Sequence, residues 1–242
     1  MKYTFGQNCR ILEDLDNGIN RNRINIMYTE NISRKLVGGV VGSIYRLFGE
    51  ANIKKNNKIK LYPYNTIITE NDQYLFEEYI DKSIINKDKG GPKEIFAPNL
   101  VNLIKKYPYD DEPHYDIFII EDDLKNVRNK LVHGVSGYPV FVVSIKGFEN
   151  DNDYMKHKKL EFLICHEFLH WFSLVNRDSN VGRTYHCGGE KGSCLMEQNN
   201  TTLERHVEEL SKYDKLLCPD CTNELKMKID YIKETYPGFN LF

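Results

Sequence analysis

The chain has 242 residues, of which 33 are basic and 35 acidic, for a formal charge of −2, and it is 40% hydrophobic and 12% aromatic. These are ordinary globular values, sufficient for one domain with a real core, and the near balance of charge excludes the basic footprint of a nucleic-acid binder. The apolar run nearest to a membrane span, Leu36–Ile44, holds three glycines between Arg34, Lys35 and Arg46, and the opening MKYTFGQNCRILEDLDNG lacks the apolar centre of a secretory signal, so the expectation is a cytoplasmic monomer without a membrane partner.

In chain order, residues 1–22 are weakly patterned, and Arg23–Thr29 (RINIMYT) reads as a first strand. Asn31 stands where it can cap a helix on which Ile32, Leu36, Val37, Val40, Val41, Ile44, Leu47 and Phe48 recur at helical spacing. Gly38, Gly39 and Gly42 lower the propensity of that helix and are expected to let it pack closely, against a sheet. Lys58–Tyr62 (KIKLY) predicts a short strand. Asn71 or Asp72 is expected to cap a helix reaching about Ile85, with Leu75, Phe76, Tyr79, Ile80 and Ile84 on one face. Lys87–Pro92 reads as a loop, and Asn99 as the start of a short helix through Leu103 and Ile104. Tyr115–Ile120 (YDIFII) and Val140–Ile145 (VFVVSI) are almost continuously apolar, as strands buried on both faces are. Between them stand the breakers Gly137 and Pro139, and His133–Tyr138 reads as an edge strand beside which an extended peptide could add. Glu121, Asp122 and Asp123 read as a solvated strand end or a helix N-terminus rather than a divalent-cation site. The alternation of strands and helices predicts an α/β fold with a largely parallel sheet.

The chemistry concentrates in Lys156–Phe172 (KHKKLEFLICHEFLHWF), an apolar helix carrying His166-Glu167-Phe168-Leu169-His170. This is an H-E-x-x-H motif. Four residues of helix turn through about 400°, so the two imidazoles stand one turn apart on one face and can share a metal. Glu167 points about 100° away, free to act as a base toward a metal-bound water. Two histidines and a glutamate on a buried helix are otherwise unexplained polar burial. Catalytic zinc needs a third protein ligand, and the next histidine is His186. Cys187, Cys194, Met196, Cys218 and Cys221 follow. Cys218-Pro219-Asp220-Cys221 has the C-x-x-C spacing of a zinc knuckle, and thiols gathered in a reducing compartment read as metal ligands rather than disulfides.

This set resembles the archaemetzincins, whose pattern is H-E-x-x-H-x-x-G-x-x-H-C, then C-x-M, then C-x-x-C. The matching pieces are His166–His170, His186-Cys187, Cys194-Leu195-Met196 and Cys218–Cys221, and Asn71-Asp72-Gln73-Tyr74 is similar to the family's Arg-x-Gln-Tyr segment. The resemblance is loose over residues 23–235 and specific over 160–225. It implies one metallopeptidase domain with a metzincin-like twisted mixed sheet, about 1–172 forming an N-terminal α/β subdomain that includes the H-E-x-x-H helix. About 173–242 would form a small C-terminal subdomain. It further implies two zinc ions, one catalytic on His166, His170 and His186 and one structural on Cys187, Cys194, Cys218 and Cys221. Glu167 would be the base, Met196 the Met-turn, and a peptide or protein the substrate. The chain departs from the pattern in three places. Ser173 replaces the family's glycine, His186 lies sixteen residues beyond His170 rather than six, and six residues rather than four separate Cys187 from Cys194.

Two other readings compete. Glu190 or Glu204 as third ligand would give a thermolysin-like peptidase, although Thr201–Glu204 also reads as a capping box for a helix to about Leu216. Alternatively both metals are structural, and the protein is a non-catalytic zinc-stabilised binding module. Cys165 reads as a buried small hydrophobe, Cys9 as an isolated free thiol and Trp171 as core. His206 is expected on an exposed helix face, and His114, His133 and His157 at the surface or in turns.

Overall fold

A computed structural model describes residues 9–29, 31–50, 59–63, 76–86, 93–108, 112–172, 174, 194–196 and 202–239. The expectations for Asn71–Tyr74, Lys87–Pro92, Ser173, His186, Cys187 and Glu190 lie outside the described residues. Contacts group the chain into two compact units. One comprises Arg21–Gly39 and Lys58–Lys156; the other comprises Met1–Asn20, Val40–Asn57 and His157–Phe242.

The first unit is α/β. Strands β1 (Ile24–Tyr28), β2 (Ile59–Pro63), β5 (Tyr115–Ile120), β8 (Gly134–Gly137) and β9 (Val140–Ser144) form a sheet in the order β2-β1-β5-β9-β8. The first four pair in parallel, and β8 runs antiparallel along β9 with Val135 opposite Val142. Every residue of β1, β5 and β9 is buried, which explains why their sequences do not alternate. β8 is the edge strand that the breakers announced. A second sheet, β3-β4-β6-β7, is built from Ile84–Asn86, Glu94–Phe96, Asp123–Lys125 and Leu131–Val132. Helix α3 (Phe76–Asp81) therefore stops before Ile84, which belongs to a strand rather than to a helix tail. Helix α4 (Ala97–Lys106) starts two residues earlier than expected, with Pro98 in its first turn, a position where the missing N–H costs nothing. Its Leu100, Val101 and Ile104 enter one core with Met27, Phe118, Ile120, Val140 and Val142.

Helix α2 (Arg34–Glu50) is capped by Ser33, whose hydroxyl accepts the Leu36 N–H at 3.2 Å, rather than by Asn31. Val37, Val40, Ile44, Leu47 and Phe48 are buried. Gly38 and Gly42 are exposed, and a Cβ added at either would meet nothing within 4 Å. The expected close approach is therefore absent at these two positions. His114 is buried instead of lying at the surface, with its Nε2 3.2 Å from the Asp116 carboxylate.

In the second unit, α1 (Arg10–Asp16), the later part of α2, α5 (Asp153–Trp171) from His157 on, α6 (Leu203–Leu210) and α7 (Pro219–Thr235) pack together. Phe48 of α2 meets Phe168 edge-on at 5.5 Å, and Phe168 lies 5.1 Å from Trp171. Thr202, not Thr201, caps α6, and that helix ends at Leu210, short of Leu216. Among the described residues, no helix is long and apolar enough to cross a membrane.

Candidate metal centres

Helix α5 opens at Asn152, whose side-chain oxygen accepts the Met155 N–H at 2.9 Å. From Leu160 to Leu169 it is buried almost all round, so its polar groups in that stretch need partners inside the protein. His166 and His170 face each other at a ring distance of 4.8 Å, with their Nε2 atoms 3.2 Å apart. Two nitrogens bound tetrahedrally to one zinc at the usual Zn–N length stand about 3.3 Å apart. The Nδ1 of His166 lies 3.0 Å from the Leu195 carbonyl oxygen. A carbonyl can only accept, so Nδ1 carries the proton, and in the neutral ring the lone pair is then on Nε2, the atom nearest His170. Phe162, one turn earlier, stacks on the His166 ring at 5.7 Å. Its neighbour His206, expected to be exposed, is buried and lies 4.6 Å from the Phe162 ring. The pair therefore fits a metal in spacing, and His166 also in tautomer.

Glu167 is only 8% exposed. Desolvation by its apolar surroundings pushes its carboxyl up to about 8, as expected of an acid kept away from water. Glu204 is exposed on α6.

A second group of donors lies close to the first along the chain. The thiols of Cys194, Cys218 and Cys221 are all within 4.8 Å of one another. Sulfurs sharing one zinc stand about 3.8 Å apart, so small shifts of the side chains suffice. Cys218 is the N-cap of α7 and Cys221 lies in its first turn, which is how a C-x-x-C spacing presents both sulfurs on one side. A hydrogen bond from the Cys221 thiol draws Cys194 down to about 6, and three soft donors suit zinc. Cys165, by contrast, is fully buried, and desolvation holds its thiol well above the usual range; it packs as the small hydrophobe expected.

The crystal structure of archaemetzincin from Methanopyrus kandleri superposes on 86% of this chain and 96% of its own, with a TM-score of 0.54 at 16% identity. This is the archaemetzincin fold. The archaemetzincin of Archaeoglobus fulgidus complexed with malonate (12% identity, 84% and 99% of the two chains, TM-score 0.47) and a zinc-dependent peptidase of Methanocorpusculum labreanum (15%, 84% and 99%, TM-score 0.45) resemble it more loosely. No family model and no curated protein matches the sequence.

Within this archaemetzincin fold, His166 and His170 stand together, and so do Cys194, Cys218 and Cys221; His186 and Cys187 lie outside the described residues. Several supporting groups had no signature in the sequence. The Leu195 carbonyl is backbone. Lys228 of α7, only 3% exposed, reaches the Phe172 carbonyl just past the end of α5 at 2.9 Å. Glu50 of α2 accepts the Leu216 N–H at 2.8 Å and the Leu217 N–H at 3.3 Å. These two residues immediately precede Cys218.

Proposed function

We propose that the protein is a zinc-dependent metallopeptidase that hydrolyses peptide bonds, with His166, His170 and His186 holding the catalytic zinc. Cys187, Cys194, Cys218 and Cys221 hold a second, structural zinc, and Met196, fully buried beside Leu195, forms the Met-turn. The observation that carries the reading is the pair of facing imidazole nitrogens, 3.2 Å apart on a buried helix, with the His166 lone pair turned toward His170 and Glu167 next in sequence. The likeness of the fold to the Methanopyrus kandleri archaemetzincin supports it.

When bound, zinc acts as a Lewis acid on the scissile carbonyl and makes water acidic enough to be deprotonated near neutrality. The residues of the chain do the rest. The Leu195 carbonyl keeps the proton on His166 Nδ1, so that Nε2 stays a donor. In its ionised form, which the positive charge of a bound zinc would favour against the desolvation described above, Glu167 would take a proton from the attacking water and then pass it to the departing amine. The apolar wall around Glu167 excludes other water from that transfer.

Glu167→Gln keeps the shape of the side chain and removes the base. Zinc content should stay at about two ions per chain, and hydrolysis of a general peptide substrate should fall about 10²–10⁴-fold. Full activity in a zinc-loaded Glu167→Gln protein would refute the mechanism, and a wild-type chain without peptidase activity on any peptide library would refute the function.

A further inference from the structure

The two candidate metal centres meet at two consecutive residues. Cys194 places its thiol in the cysteine group, and Leu195, the next residue, gives its carbonyl to His166 Nδ1 at 3.0 Å. Consecutive Cα atoms are about 3.8 Å apart across a trans peptide, so a shift of the Cys194 backbone reaches the carbonyl that orients the imidazole with little to absorb it. The same residue is held from the other side of the cluster: the Leu195 N–H donates to the Leu216 carbonyl at 2.8 Å, two residues before Cys218. Leu195 itself is fully buried. The cysteine group thus closes a clamp, Cys194-Leu195 on one arm and Leu216-Leu217-Cys218 on the other, whose inner face supports His166.

From this geometry we infer that the two metal sites are thermodynamically coupled, with Leu195 as the positioning residue: metal in the cysteine site strengthens metal binding at the histidine site. The inference rests on the reading of both groups as metal sites. Its physical basis is the outer-shell bond. A metal-binding imidazole deprived of its second hydrogen bond loses both its preferred tautomer and its fixed ring orientation, and such partners are worth about 10–100-fold in metal affinity. Linkage makes the effect reciprocal, so metal on the histidines must strengthen the cysteine site by the same factor.

The test uses the full chain, stripped of metal and titrated with zinc against a chromophoric chelator. Cobalt(II) titration separates the sites, since only the cysteine group gives sulfur-to-cobalt charge-transfer bands. Cys221→Ser disables the cysteine site, and the histidine site should then bind zinc about 10-fold more weakly or worse. His170→Ala disables the histidine site while leaving the Leu195–His166 bond in place, and the cysteine site should weaken by the same factor. Ring nitrogen-15 shifts of His166 should report an Nδ1–H tautomer in the wild-type chain with only its cysteine site filled, and a mixture of tautomers in Cys221→Ser. A change of less than about threefold in affinity at the surviving site overturns the coupling while leaving both sites standing. If the wild-type histidines take up no metal, the reading of that site falls and the coupling with it. Should Cys221→Ser fail to fold by circular dichroism, the His170→Ala arm decides alone, because the coupling is reciprocal.

Discussion

Glu50 offers a sharp test of how the support behind the candidate site is built. Its carboxylate, with a side chain only 10% exposed, accepts the Leu216 N–H on both oxygens at 2.8 and 3.1 Å and the Leu217 N–H at 3.3 Å. Both leucines are buried. Glu50→Ala orphans two backbone donors, each worth about 1–3 kcal/mol when left unsatisfied, so a loss of about 3 kcal/mol is expected. Glu50→Gln is different. Desolvation holds Glu50 above the ordinary carboxylate range despite the lowering effects of Leu216, Leu217 and Arg46, so the charged form is disfavoured on folding and a neutral amide that still offers one oxygen should cost only about 1 kcal/mol. The sign of the pH dependence follows. A folded value above the unfolded one gives a contribution fully present below the unfolded value, near 4.5, and lost as pH rises through the folded one. The wild type should therefore lose its margin over Glu50→Gln as pH rises above about 4.5. Urea unfolding of the three proteins between pH 4.5 and 8, at fixed metal concentration, measures all of this. Glu50→Ala within about 0.5 kcal/mol of wild type, or a margin over Glu50→Gln that widens with pH, would refute the reasoning.

Lys228→Met keeps the buried stem but removes the ammonium that binds the Phe172 carbonyl at 2.9 Å and Glu224 at 2.7 Å; a charged hydrogen bond at a helix C-terminus is worth about 2 kcal/mol, to be read from urea midpoints, and an unchanged midpoint would show the contact to be idle. Gly137→Ala places a Cβ 2.6 Å from Val101 Cγ1, and because β-branched valine cannot rotate away freely the overpacking should lower stability by about 1–3 kcal/mol. A thermal midpoint equal to wild type would mean that β8 shifts to make room.

What could be read from the sequence followed signal strength. Ile24–Tyr28, Tyr115–Ile120 and Val140–Ser144 were legible because strands buried on both faces are continuously apolar. The α5 helix and its histidines were legible because H-E-x-x-H needs only helical spacing to imply geometry. The second sheet was not, since its strands are two or three residues long and too short for any period to register. Ile84 looked helical only because it falls four residues after Ile80. His206 misled by its charge class: with Val207 and Leu210 it forms the buried stripe of a short helix that ends at Leu210. His114 is buried because Asp116, two residues on, supplies a partner inside the protein. Leu195 could not be found at all by residue type, since it acts through its carbonyl.

The longest departure from the archaemetzincin pattern, sixteen residues from His170 to His186 where the family has six, bears on whether His186 can serve as the third ligand. Closing a chain segment costs entropy that grows only as the logarithm of its length, so lengthening it from six to sixteen residues costs about (3/2)RT ln(16/6), roughly 0.9 kcal/mol. Structural zinc sites bind with about 10–16 kcal/mol, so the longer segment weakens a third imidazole ligand by less than a tenfold change in affinity. The support of His166 is indifferent to it, because Leu195 is fixed to Leu216, and Leu216 to Glu50, by bonds that do not pass through the segment. His186→Ala should therefore leave the fold and the cysteine ligands intact, with the histidine-site zinc weakened by far more than tenfold and the cysteine-site zinc, through the reciprocal coupling, about 10-fold weaker once the histidine site is empty. Two zinc ions retained at wild-type affinity in that variant would mean that another donor completes the histidine site.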